Sequence, residues 1–70
     1  MNSINYPRFS RIIRAARKSK QLSEDDMAKK IGVDFDTYHK WDAGEDFPDD
    51  DNLVKLNQAL FGRDLNAQLT

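Results

Sequence analysis

Every apolar stripe in this 70-residue chain repeats at helical spacing. Phe9, Ile12, Ile13 and Ala16 stand at i, i+3, i+4 and i+7, and Leu53, Leu56, Asn57 and Leu60 repeat the pattern near the other end. That spacing lines one side of an α-helix, whereas a half-buried strand needs strict alternation. No stretch alternates, so the chain is expected to be all-α. A chain this short buries only about 60% of its unfolded surface, which allows a single domain over residues 1–70 with a small core.

Start and stop signals divide the chain into four to five short helices. Pro7 suits a first helical turn, since its missing N–H is not needed there. Residues 1–6 are expected to form a flexible arm. Ser23 opens a second helix: "SEDD" places an acid three residues after a serine, a capping-box pattern. Met27, Ala28 and Ile31 form the apolar side, and Gly32 supplies the left-handed turn after the helix. Asp34 is a natural N-cap for a third helix, with Tyr38 and Trp41 as core anchors and Gly44 as its end. Asp49, Asp50 and Asp51 crowd the start of a fourth helix, where the dipole favours negative charge. Gly62 stops it, and "RDLNAQL" can add one more turn through Leu65 and Leu69.

Two short helices joined by a tight glycine turn are either a helix-turn-helix or a plain helical hairpin. The stretch "LSEDDMAKKIGVDFDTYHKWDAGEDFP" resembles the phage repressor and Cro family of helix-turn-helix domains. Leu22, the Ser23 cap, Gly32, Asp42, Gly44 and Pro48 follow in that family's order. The resemblance covers roughly Ile12 to Leu60 and implies a lambda-repressor-like fold. It also implies a structural ion pair between Arg17 of the first helix and Asp42 of the third. An arginine–carboxylate pair of that kind is bidentate and directional.

The same resemblance implies a small sequence-specific transcriptional regulator, of repressor or antitoxin type, that binds double-stranded DNA. Its contacts would come from Ser23, Glu24, Phe35, Asp36, Thr37, His39 and Lys40. Thr37, His39 and Lys40 would touch bases, and Ser23 with its helix N-terminus would touch phosphate. Such domains often dimerise on palindromic sites. The resemblance places that surface around Leu60, Phe61 and Leu65.

Charge sets an alternative beside this. Residues 1–20 hold six cations and no acid, whereas residues 34–51 hold eight acids against Lys40 alone. A nucleic-acid binder usually has a basic balance. Glu24 and Asp36 oppose phosphate, although a carboxylate accepts from the cytosine amino group. In the alternative, the acidic third helix and loop 45–51 grip a basic protein partner, with Phe35 as apolar anchor. Arg8, Arg11, Arg14 and Lys18 read either as a solvated helix face or as a patch for phosphate or an acidic partner. Phe47 and Leu65 either close the core or join an exposed apolar cluster, and Phe35 is expected to be exposed.

No catalytic constellation is present, so an enzyme is not expected. There is no cysteine, which removes disulfides and thiolate metal sites and suits a reducing cytoplasm. His39 has no partner at metal-ligand spacing, and "DAGEDFPDDDN" lacks the pattern of a calcium loop. No cofactor is expected. No apolar run reaches the roughly 18 residues of a membrane span.

Overall fold

The structure, a computed structural model, describes residues 6–62. Within them lie four helices: α1 (Pro7–Ser19), α2 (Glu24–Ile31), α3 (Phe35–Ala43) and α4 (Asp50–Phe61). The described residues contain no strand. The further turn expected from "RDLNAQL", with Leu65 and Leu69, lies outside them. Helix α2 packs on α3 and α4, and α1 packs on the same two helices from the other side. Ile13, Met27, Ala28, Ile31, Tyr38, Trp41, Leu56 and Leu60 fill the space between them. Tyr38 meets Trp41 edge-on, with ring centroids 5.9 Å apart.

The helix starts follow the sequence closely. Ser23 Oγ accepts the Asp26 N–H at 3.0 Å, and the Asp26 carboxylate accepts the Ser23 N–H at 3.0 Å, completing a capping box. These bonds hold the Asp26 carboxyl below the usual carboxylate range, the backbone N–H of Ser23 contributing most. At α4 the Asp49 carboxylate accepts from the Asn52 N–H at 3.0 Å. Asp34 stands at the N-cap of α3, but its side chain accepts from the Thr37 hydroxyl instead of a backbone N–H.

Two glycines close helices in left-handed geometry. Gly32 has φ +89° and ends α2, with open space around a would-be Cβ. Gly44 has φ +81° and ends α3; a Cβ there would lie 3.0 Å from Ser10 Oγ. Gly44 also receives the chain's start, because its carbonyl accepts the Tyr6 N–H at 3.0 Å. Tyr6, expected within a flexible arm, is therefore tied to the end of α3, and its ring lies 5.2 Å from that of Phe47. Residues 1–5 lie outside the described region.

Three expectations need correction. Ile12 does not belong to the buried stripe and is 50% exposed. Ile13 is buried as expected, Phe9 and Ala16 pack against the core, and Ser10 and Arg17 join them on the inward face of α1. Two polar residues take it because Ser10 must fit beneath Gly44 and Arg17 must reach α3. Arg14 is not simply solvated, since its guanidinium donates to the Asp42 carbonyl at 2.8 Å. Leu60, expected at a dimer surface, is buried in the core of its own chain, while its neighbour Phe61 is exposed. Phe47 stays exposed on one side and packs the other on Phe9, with ring centroids 4.5 Å apart.

Candidate nucleic-acid interface

The orientation of α3 is set from its inner side by one residue. Asp42 is buried, its side chain 4% exposed, and Arg17 beside it is 10% exposed. Arg17 Nε donates to Asp42 Oδ2 at 2.9 Å, and its second guanidinium nitrogen reaches Oδ1 at 3.4 Å. The Tyr38 hydroxyl donates to Oδ2 at 2.8 Å. Arg17 also donates to the Leu22 carbonyl at 2.9 Å, which fixes the turn before α2. Every polar side-chain atom buried in this network has a partner. Burial works to lower the Arg17 pKa, but the Asp42 bond and charge outweigh it, and the guanidinium is held more firmly protonated than usual. Burial and the bond to Asp42 raise the Tyr38 hydroxyl well above its ordinary range, so it stays a donor.

With α3 held from within, its other side faces solvent. Phe35, Asp36, His39 and Lys40 are all exposed there, Phe35 by 47%. Glu24, the first residue of α2, joins them across the helix crossing: its Oε1 lies 2.7 Å from His39 Nδ1. Phe35 stacks on the same imidazole at 5.6 Å and 14° between planes. Lys40 Nζ stands 3.8 Å from the Asp36 carboxylate, one helical turn back. Thr37 donates its hydroxyl to Asp34 at 2.6 Å, which holds the Asp34 carboxyl below its usual range. Ser23 sits at the N-cap of α2, its oxygen occupied as an acceptor and its hydroxyl hydrogen uncommitted among the described residues.

Each residue named from the sequence thus lies on the exposed rim or face of the two-helix unit. The structure joins them in pairs: Glu24 with His39, Phe35 with His39, and Asp36 with Lys40. Sequence reasoning missed two members of the inner network. Arg14 gave no sign beyond its charge. Tyr38 and Asp42 stand four residues apart on one helix, a spacing that permits their bond. The Glu24–His39 pair spans 15 positions and left no periodic trace.

Chemically, the face offers donors, acceptors and one aromatic plane, with its cations already paired. The i,i+4 pairs Lys40–Asp36 and Lys29–Asp25 are solvent-exposed. Such pairs are worth only a few tenths of a kcal/mol, so both lysines are readily drawn to a stronger anion. Among the described residues no group of histidines, cysteines and acids could hold a metal ion. No described helix is long and apolar enough to cross a membrane.

The helix-turn-helix family model matches residues 13–65. The chain belongs to the helix-turn-helix family. Its α2 and α3 are the two helices of the motif, and Gly32 is the turn glycine. A curated relative is the cryptic phage CTXphi transcriptional repressor RstR of Vibrio cholerae serotype O1, 39% identical over 44 residues. The match takes in 63% of this chain and 39% of the relative, so the chain spans about two fifths of that protein's length.

Proposed function

We propose that this chain is a small sequence-specific DNA-binding regulator of the repressor type, with α3 lying in the major groove. The observation behind it is the division of α3 into two sides. The inner side is locked to α1 by Asp42, and the outer side presents Phe35, Asp36, His39 and Lys40 without core duties. Family membership and the repressor named among its relatives support the same reading. In it, Lys40 leaves Asp36 for a base edge or phosphate. His39 contacts a base through the ring nitrogen that Glu24 does not hold. The Thr37 hydroxyl, already donating to Asp34, can only accept, which suits a base amino group. Ser23 gives its hydroxyl hydrogen to a phosphate. Lys29 and Lys30, exposed near the end of α2, and the exposed cations of α1 add the salt-dependent attraction. Pairing of two copies through a surface that includes Phe61 would join two half-sites.

The test is a titration of the protein into fluorescent random double-stranded DNA, followed by anisotropy at low and then moderate salt. An affinity whose logarithm falls linearly with the logarithm of salt concentration is expected. Lys40→Ala should weaken a selected site by about 1–2 kcal/mol and relax its specificity. Absence of binding at low salt, or unchanged affinity in Lys40→Ala, refutes the reading or the assignment respectively.

A second reading has its own support. The acids Asp36, Glu45 and Asp46 are exposed on α3 and the loop after it, and Phe35 is exposed at the start of the same helix. On this reading the same face holds a basic protein. Asp36→Lys separates the two, because it should strengthen DNA binding and weaken the grip on such a partner.

A further inference from the structure

His39 is held as no other residue on the outer face of α3. Glu24 reaches it from α2 through Nδ1, and Phe35 covers one ring face. The side chain is 47% exposed, and Nε2 has no hydrogen-bond partner among the described residues. The imidazole is thus fixed in orientation with one ring nitrogen left for an outside partner.

A carboxylate only accepts hydrogen bonds. The Nδ1 beside Glu24 must therefore bear a hydrogen, whether the ring is neutral or charged. In the neutral ring Nε2 is then a lone-pair acceptor; in the imidazolium it is an N–H donor. The major groove distinguishes these two states. Guanine presents only acceptors there, N7 and O6, and cytosine only an amino donor, whereas adenine presents one of each and serves either state. We propose that Glu24 and His39 form one base-reading unit whose preference inverts with the ring proton: guanine when His39 is charged, cytosine when it is neutral. Glu24 is the positioning residue, acting through His39. The inference rests on the DNA-binding reading above.

The surroundings favour the charged ring. The Glu24 hydrogen bond and charge raise the His39 pKa above its ordinary value, with Glu45 of the following loop and Asp42 of α3 adding to the effect and desolvation opposing it. Asp36 and Lys40, on the same helix, form their own pair, and Arg17 of α1 is engaged by Asp42. DNA phosphate would favour the charged ring further.

The experiment is selection of binding sites by the full chain from a random-core pool of double-stranded DNA at a series of pH values from 5.5 to 9. It uses wild type, Glu24→Gln and His39→Gln. Ring-nitrogen NMR of the DNA-free protein accompanies it. In wild type, one position of the selected site should change from guanine to cytosine between the lowest and the highest pH. The enrichment should be about fivefold, the effect of one net hydrogen bond. His39→Gln, which both donates and accepts, should abolish the change. Glu24→Gln should move it to lower pH, which loss of mere structural support would not do. NMR should find the neutral wild-type ring protonated at Nδ1. Selected sites that are the same at every pH, or a neutral ring protonated at Nε2, overturn the inference while the DNA-binding reading stands. Recovery of no DNA at any pH overturns both.

Discussion

Replacing Asp42 with alanine removes the acceptor of two buried donors at once. Arg17 then keeps a charge in an environment where its side chain is 10% exposed, and the Tyr38 hydroxyl loses its partner. Breaking one side of a buried ion pair costs about 3–5 kcal/mol, because the remaining charge stays desolvated. An unsatisfied hydroxyl adds about 1–3 kcal/mol where water cannot reach it. A 70-residue domain has roughly 4–10 kcal/mol in total, at about 0.05–0.15 kcal/mol per residue. Asp42→Ala should therefore leave the chain largely unfolded at 25 °C or close to it. Asp42→Asn keeps the shape and one acceptor, and should cost less, about 2–3 kcal/mol. The buried Trp41, the chain's one tryptophan, reports the transition in a urea titration by its fluorescence. A decisive companion is the double variant Arg17→Met with Asp42→Leu. Removing both charges leaves none to strand, so it should be more stable than Asp42→Ala. A loss below about 1 kcal/mol for Asp42→Ala would mean that the pair behaves as a surface pair. The account of how α3 is held would then be wrong.

The two left-handed glycines should separate in the same assay. Gly32→Ala meets open space and should cost only the backbone strain, about 1–2 kcal/mol. Gly44→Ala adds a contact of 3.0 Å with Ser10 to a similar strain, and should be the more destabilising. Equal losses would remove the role given to the Ser10–Gly44 approach. Stability should also depend on pH through His39. Its folded pKa is raised by Glu24, so the contribution is fully present below the ordinary histidine value and fades as pH rises through the higher folded one. Urea midpoints of wild type and Glu24→Gln should converge on going from pH 5.5 to pH 9; a constant gap would refute the linkage.

How far the sequence could be read depended on where each signal resides. Caps and stops are local, so Ser23, Gly32, Asp49 and the start at Pro7 were legible from neighbouring residues. The Arg17–Asp42 pair was legible through family resemblance, since two residues 25 positions apart share no local pattern. Hydropathy placed Phe9, Ile13 and Ala16 of α1 correctly but put Ile12 inside. It favours apolar positions, whereas the inner face of α1 is set by Ser10 at Gly44 and by Arg17 at Asp42. The residues of the outer face could be named, and the spacing of four permits the pairs Asp36–Lys40 and Phe35–His39, but the Glu24–His39 pair could not be read. Whether Glu24 meets His39 depends on the crossing of α2 and α3, which no spacing along the chain encodes.

The placement of Asp42 also bears on how such a protein can diverge. The bonds that orient α3 come from Asp42 and Tyr38, while Phe35, Asp36, His39 and Lys40 bear on one another and on Glu24. Substitutions on the outer face therefore trade one preference for another with little penalty in folding. On the DNA-binding reading, descendants of this chain could acquire new targets by drift there, while loss of the Asp42 carboxylate without a compensating change at Arg17 would remove the scaffold that every such target needs.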